Sequence, residues 1–282
     1  MLAYEISLAT VMGIAVLFAL SLNLITGFCG QISLGHAAFY GTGAYTAALI
    51  TTNGLSFWLA LPAAMAVAAA LGIVVGFASL RVRHDFLAIT TMGVGFLFIG
   101  IVRKQDALGG ELGISSIPDA GLGKIGFLIL VLVCVALFAA FSLYLKRSWL
   151  GFAFDSIADD EDTARVVGID VARYKLIAFA IGTAFAGLAG ALYAHNIRFI
   201  APDSFGFVES VTVLAMVVVG GIGSVWGVIV AAAVLTALPL WITFVDQYKL
   251  LLYGGLLFAV MRFSPGGLAG MVHAALALRR RA

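Results

Sequence analysis

Charge is scarce in this sequence. Asp, Glu, Lys and Arg make up 11% of its 282 residues, against about 25% in an average soluble domain. Hydrophobic residues reach 63%, against about 45–50%. So little polar surface cannot coat a water-soluble globule, and the class implied is an all-α, multispanning membrane protein. The net charge of +2 gives no indication of a nucleic-acid partner. Cysteine is nearly absent: Cys29 and Cys134 stand far apart in apolar segments, where a lone thiol reads as core filler rather than a redox or metal group. The histidines His36, His84, His195 and His273 are scattered singly. No GxxxxGK[ST], HExxH or CxxC occurs, and "AGLGKIG" lacks both the upstream glycine and a hydroxyl residue after Lys124. No acids cluster at mid-span, as a proton relay or intramembrane catalytic site would require. The chain offers no energy source, no catalytic constellation, no metal site and no cofactor motif of its own.

What is present is a series of apolar runs. A spanning helix needs about 20 mostly apolar residues. Candidates are 6–26, 30–50, 56–80, 85–102, 126–145, 176–194, 207–221, 224–242 and 250–263. This predicts eight or nine crossings in a single transmembrane domain, 1–282. The first run, from about Ile6, lacks a basic leader and reads as a retained span. The stretch 208–242 is too long for one span and too short for two full ones. With Gly220, Gly221, Gly223 and Gly227 at its middle, it reads as two short helices meeting at a break, with a re-entrant pair as the alternative. If the loop 146–175 is inside, inner segments hold eleven Lys and Arg and outer ones five, which satisfies the positive-inside rule. Nine crossings then put the N-terminus outside and the 264–282 tail, with its final arginines, inside.

Small residues recur every four positions at Ala178, Gly182, Ala186, Gly190 and Ala194, and again at Ser33, Ala37, Gly41, Ala44 and Ala48. Such rows let helix backbones approach in lipid, either within this chain or at a subunit interface.

The acids concentrate in "FDSIADDEDTARVVGID", where Asp159, Asp160, Glu161 and Asp162 are consecutive. The pattern predicts a helix over Ile157–Val167. Its acids would suit the positive helix end, Glu161 and Arg165 would pair at i,i+4, and Gly168 would stop it. Such a helix is either a solvated surface element or a handle on which a soluble motor can push.

Five strings resemble one family. "DTARVVG" (Asp162–Gly168) looks like the EAAxxxG loop of ATP-binding-cassette importer permeases, with Asp162 for Glu, Thr163 for the first Ala, and Ala164 and Gly168 in place. The wider Asp159–Ala194 string, "SLNLITGFCGQISLGHAAFYGTGAY" (Ser21–Tyr45), "ALGGELGI" (Ala107–Ile114), "VVVGGIGSVWG" (Val217–Gly227) and "FSPGGLAG" (Phe263–Gly270) resemble the branched-chain amino acid permease family, on its LivM-type side. The chain departs at Ala107–Gly110, where members often read LTGG. The resemblance implies a multi-pass protein of the bacterial inner membrane that is not itself an enzyme. Its expected partners are membrane lipid, a second, LivH-type permease, two cytosolic ATP-binding subunits, and a periplasmic or lipid-anchored binding protein. Asp159, Asp160, Glu161, Asp162, Ala164, Arg165 and Gly168 would then form the coupling helix at the ATPase. The implied cargo is a branched-chain or other hydrophobic amino acid. A urea or other small-solute importer is the near alternative, and a stand-alone channel or carrier the distant one.

Candidates for the pathway are the polar residues of unusually polar spans: Asn23, Gln31, Ser33, His36, Tyr45, Thr90 and Thr91. Polar groups in lipid must find partners or line a cavity. His36 either bonds a neighbouring helix, with Asn23 close by, or lines the path. Thr90 and Thr91 either bond back to their own helix or face it. Glu209 reads as a boundary residue or a gate, and Arg198 and Asp203 as solvated loop or binding-protein contacts. Gly41, Gly182, Ala186 and Gly190 are the packing candidates.

Overall fold

The computed structural model describes residues 2–79, 84–241, 248–264 and 266–271. Arg81, Arg83, His273 and the Arg279–Arg281 tail lie outside the described residues, as does most of 264–282. Regular structure is helical, with one isolated antiparallel bridge between Ile114 and Ile200 among the described residues. Helix α1 (Leu2–Leu22) runs into a π-helical turn, Asn23–Phe28. Then come α2 (His36–Thr52), α3 (Phe57–Ser79), α4 (His84–Lys104) and α5 (Gly123–Arg147). Two short helices, α6 (Trp149–Asp159) and α7 (Glu161–Val166), precede the long α8 (Val171–Ile197). The chain continues with α9 (Phe207–Gly220), α10 (Val225–Trp241) and α11 (Lys249–Phe263). Seven helical segments among the described residues are long and apolar enough to cross a membrane, and α2 and α10 are shorter. The protein is a multi-pass, all-α membrane protein.

The bundle has two chemically different ends. At the acidic end lie the finish of α1, the finish of α5, helices α6 and α7, the start of α8 and the α9–α10 turn. Three hydrogen bonds tie them: Gln31 Nε2 donates to Lys175 O (3.1 Å), Lys146 Nζ to Gly223 O (2.7 Å), and Gly223 N to Asn23 Oδ1 (2.9 Å). At the far end, Ile117 N donates to Arg198 O (3.3 Å), and Arg103 forms an ion pair with Asp203.

Helix α8 is the hub. A Cβ on Gly182 would press on Ile25 and stand 2.9 Å from Ser21 O. One on Gly190 would press on Tyr40 O and stand 2.9 Å from Ala44 N. One on Gly187 would stand 2.7 Å from Ala64 O. Ala178, Ala186 and Ala194 are buried with them, so the small row packs against α1 and α2 of its own chain. Gly41 leaves room for Phe98 and Phe205, each of which a Cβ would approach within 2.8 Å. Side-chain packing of this kind, rather than water expulsion, is what associates helices in lipid.

The structure departs from the sequence reading in two places. The run 30–50 is helical only from His36, because Gly30 sits at φ +69° and the next residues take side-chain partners instead of a helical ladder. The acidic helix is not continuous over 157–167. Asp160 breaks it in extended conformation (φ −161°, ψ 116°), and its carboxylate caps α7 by accepting from the amides of Asp162 (2.8 Å) and Thr163 (2.9 Å). The stretch 208–242 does form two short helices, turning at Gly221 (φ +104°) and Gly223 (φ +80°), conformations that L side chains rarely adopt.

Candidate functional site

The bundle carries two candidate surfaces, one at each end. At the acidic end, α6 packs against α5 and α8, and α7 against α6 and α8. Ile157, Ala164 and Ile169 are buried and anchor them. Glu161 turns inward to pair with Lys175 on α8, and its other oxygen accepts from Arg165 (3.3 Å), which also bonds Asp162 (2.8 Å). Backbone amides of Thr163 and Asp162 hold the Asp160 carboxyl below its usual range. Partial burial pushes Asp155 up. Gly168 closes the loop at φ +89°, with open space where a side chain would be. The exposed face therefore presents Asp159, Asp160, Asp162, Arg165 and Gly168, together with two bare aliphatic side chains, Val166 (87% exposed) and Val167 (67%). Sequence reasoning named the acids and missed the valines. Two adjacent apolar residues just before a stop glycine, in a loop and not a span, were the available signal.

The far end holds a cavity of about 390 Å³. It forms because α9 starts below that end. The chain leaves α8 at Ile197, and Phe205 plugs in among Tyr40, Tyr45 and Tyr193 with ring centroids 5.5–6.0 Å apart. Only then does α9 begin, deep enough for Ser210 Oγ to accept from Ala37 N (3.1 Å) at the base of α2. Above this recessed start, α1, α8, α10 and α11 enclose the volume, with Ile14, Val208, Met216 and Leu235 as apolar wall. Ser204, Glu209, Thr212 and Thr236 supply polar atoms.

None of the seven polar residues nominated for a pathway lines this cavity. The structure brings most of them to the irregular segment between α1 and α2 or beside it, where Asn23, Gln31, Thr91 and His36 Nε2 have partners, while Ser33 Oγ, His36 Nδ1 and Tyr45 Oη have no hydrogen-bond partner among the described residues. Thr26 Oγ1 donates to Gln31 O (3.0 Å), Leu34 N donates to Thr91 Oγ1 (3.0 Å), and Thr91 Oγ1 also donates to Ala88 O (3.0 Å). Asn23 and Gln31 make the acidic-end bonds given above. His36 Nε2 lies 2.8 Å from Ser21 Oγ, and its ring stacks on Phe18 (centroids 5.3 Å). Tyr45 is buried against Phe98 and Phe205. Ser33 is buried, with no hydrogen-bond partner for its hydroxyl among the described residues. Thr90, on the half-exposed side of α4, is apart from the group. Of the sequence candidates, Asp203 and Glu209 do border the cavity. Arg198 does not: it turns the chain at φ +64° and donates through Nε to Ile117 O (3.3 Å). The signal available in the sequence was Pro202 and Gly206, which punctuate the chain just before the α9 run.

Comparison with known proteins gives a consistent answer. The family model described as branched-chain amino acid transport system / permease component matches residues 5–261. The high-affinity branched-chain amino acid transport system permease protein LivM of Salmonella typhimurium is 36% identical, over 98% of this chain and 72% of its own. The corresponding permease proteins BraD of Pseudomonas aeruginosa and LivH of Escherichia coli are 28% and 24% identical, each over 90% of this chain and 91% and 90% of their own. No solved structure matches.

Proposed function

The chain belongs to the family of branched-chain amino acid transport system permease components, and on that footing we propose that it forms one half of the membrane pathway of an ATP-driven importer for branched-chain or other hydrophobic amino acids. The family is one of transport subunits, not of enzymes, so ATP hydrolysis falls to separate ATP-binding subunits. A second permease of the LivH kind completes the pathway, and a binding protein delivers cargo at the far end. The acidic end faces the cytoplasm across a bacterial inner membrane, in line with the lysine and arginine bias.

One observation carries the reading. A short helix pair, pinned to α8 through Glu161 and Lys175, leaves Asp159, Asp160, Asp162, Val166 and Val167 facing outward. A rigid, mixed acidic and aliphatic knob outside the spans suits docking into a soluble partner. Its bond to α8 gives a route by which partner movement reaches the bundle hub. For the cargo, the apolar wall of the far-end cavity favours an aliphatic body over urea.

The test uses the assembled transporter. A cysteine replacing Asp160 should crosslink to an ATP-binding subunit and resist impermeant reagents applied outside intact cells. Asp162→Lys, whose carboxylate is solvent-facing, should leave the permease inserted but cut uptake sharply. Gly168→Val forces a β-branched residue into a left-handed turn and should do the same. Labelling of the cysteine from outside, or full uptake in both variants, would overturn the assignment.

A further inference from the structure

We propose that Lys146 is a positioning residue of the transport cycle: it holds and releases the Gly223 carbonyl, and so passes movement of α6 and α7 to the α9–α10 turn and the two helices that the turn joins. The inference rests on the docking role proposed above for α6 and α7, and adds a second route, from that docking face to the far-end cavity.

The first argument is where the bond sits. Gly223 lies in the turn between α9 and α10, at φ +80°. Side chains from two other parts of the bundle take both of its backbone polar groups. Its N–H donates to Asn23 Oδ1 (2.9 Å), in the π-helical turn that follows α1. Its carbonyl accepts from Lys146 Nζ (2.7 Å), on the last turn of α5. The turn also rests directly on the backbone after α1. A Cβ on Gly223 would stand 2.9 Å from Gly27 O, and one on Gly27 would stand 2.5 Å from Gly223 N. A single residue thus ties together the finish of α1, the finish of α5 and the α9–α10 pair.

The two bonds differ in how readily they exchange, which is the second argument. Asn23 is buried, so breaking its bond would strand polar groups away from water. Lys146 is exposed, and its Nζ can trade the Gly223 carbonyl for water. The same nitrogen lies 5.3 Å from the centroid of the Phe28 ring, which marks its seat when the bond is closed. Asn23 therefore keeps the turn seated, and Lys146 supplies the contact that opens and closes.

The third argument is the stiffness of the corner between α5 and α6. Ser148, the residue before α6, donates through Oγ to Leu145 O (2.7 Å). Gly151, in the first turn of α6, has no room for a side chain: a Cβ would press on Leu145 O and stand 2.7 Å from Lys146 Cα. With backbone against backbone at this corner, a shift of α6 carries Lys146 with it. On the other side of the Gly223 bond, α9 gives Thr212 and Met216, and α10 gives Leu235 and Pro239, to the lining of the far-end cavity. Met216 is roughly one helical turn, about 5.4 Å, from the last residue of α9. A displaced turn therefore displaces cavity wall.

The test uses the complete transporter with its binding protein in proteoliposomes, and measures leucine uptake and ATP hydrolysis on the same preparation. Lys146→Met keeps the aliphatic stem and removes the donor, whereas Lys146→Arg keeps a donor. The methionine variant should assemble as a monodisperse complex and hydrolyse ATP, but leucine moved per ATP should fall by about fivefold or more. The arginine variant should recover most of that ratio. A merely structural lysine would instead lower assembly, hydrolysis and uptake together. That pattern, or an unchanged ratio in Lys146→Met, overturns the proposal. Crosslinking of Asp160→Cys to an ATP-binding subunit separates this inference from the reading beneath it. If the crosslink forms and Lys146→Met still couples normally, this inference fails and the docking role stands. If no crosslink forms in the otherwise wild-type complex, the docking role fails and takes this inference with it.

Discussion

Between α1 and α2 the chain gives up helical bonding over residues 30–35 and recruits Thr26, Gln31 and Thr91 to replace it. Between α8 and α9 it also leaves the helix within the bundle, yet there Ser204, Glu209 and Thr236 border open volume. Lipid tolerates irregular backbone only where protein buries it or a cavity hydrates it. This molecule uses both solutions. In the first region the polar side chains are buried against protein, and those of Thr26, Gln31 and Thr91 are hydrogen-bonded there. In the second, polar residues line a cavity, and residues so placed are the ones positioned to meet a ligand.

The comparison predicts that substitutions in the first region act through folding and those in the second through uptake. The largest effect is expected at Gly35, where a Cβ would strike the Thr91 carbonyl and stand 3.3 Å from Met92 N. Both contacts are backbone and neither can step aside. Gly35→Val should abolish monodisperse, detergent-extractable protein on size exclusion. Met216→Ala, which only enlarges the cavity, should leave yield near wild type. A well-folded Gly35→Val protein would break the comparison at its base.

A smaller effect is expected at His36. Its ring is buried, bonded to Ser21 and stacked on Phe18. His36→Leu removes the Ser21 contact at a cost of about 1–3 kcal/mol and should lower the thermal midpoint and yield together. His36→Gln keeps a hydrogen-bonding head and should recover both. If the leucine variant were as stable as wild type yet failed in transport, His36 would belong with the cavity residues instead.

The fold was largely legible in the sequence, because each of the nine apolar runs contains a helix, although those in 30–50 and 224–242 fall short of a full span. The glycine break in 208–242 was legible too, since Gly221 and Gly223 mark positions that need positive φ. What the sequence hid is depth. Gln31, Ser33 and His36 look like lining because they are polar within an apolar run, but whether a polar side chain meets backbone or space depends on neighbours as distant as Lys175 and Ser210. Glu209 looks like a boundary residue for the same reason: nothing local shows that α9 starts below the end of the bundle. The acidic helix was misjudged at Asp160, because helix propensity does not reveal that a carboxylate will turn back to cap the next turn.

Ser33 gives the smallest and most discriminating test. It sits in the irregular segment, is fully buried, and its hydroxyl has no hydrogen-bond partner among the described residues. Thr236 shares that property but borders the cavity. The unpaired hydroxyl costs desolvation at both positions, so removing it should be neutral or slightly stabilising. The two sites should then part company in function. Ser33→Ala should raise or preserve the thermal midpoint and leave uptake unchanged, because Ser33 does not line the cavity. Thr236→Val should likewise preserve the midpoint but raise the substrate concentration needed for half-maximal uptake. Assays of both variants in the same reconstituted complex decide the matter. Equal loss of uptake at both positions would mean that the segment between α1 and α2 opens during transport and shares its polar atoms with the cargo. Equal indifference would move the ligand away from α10.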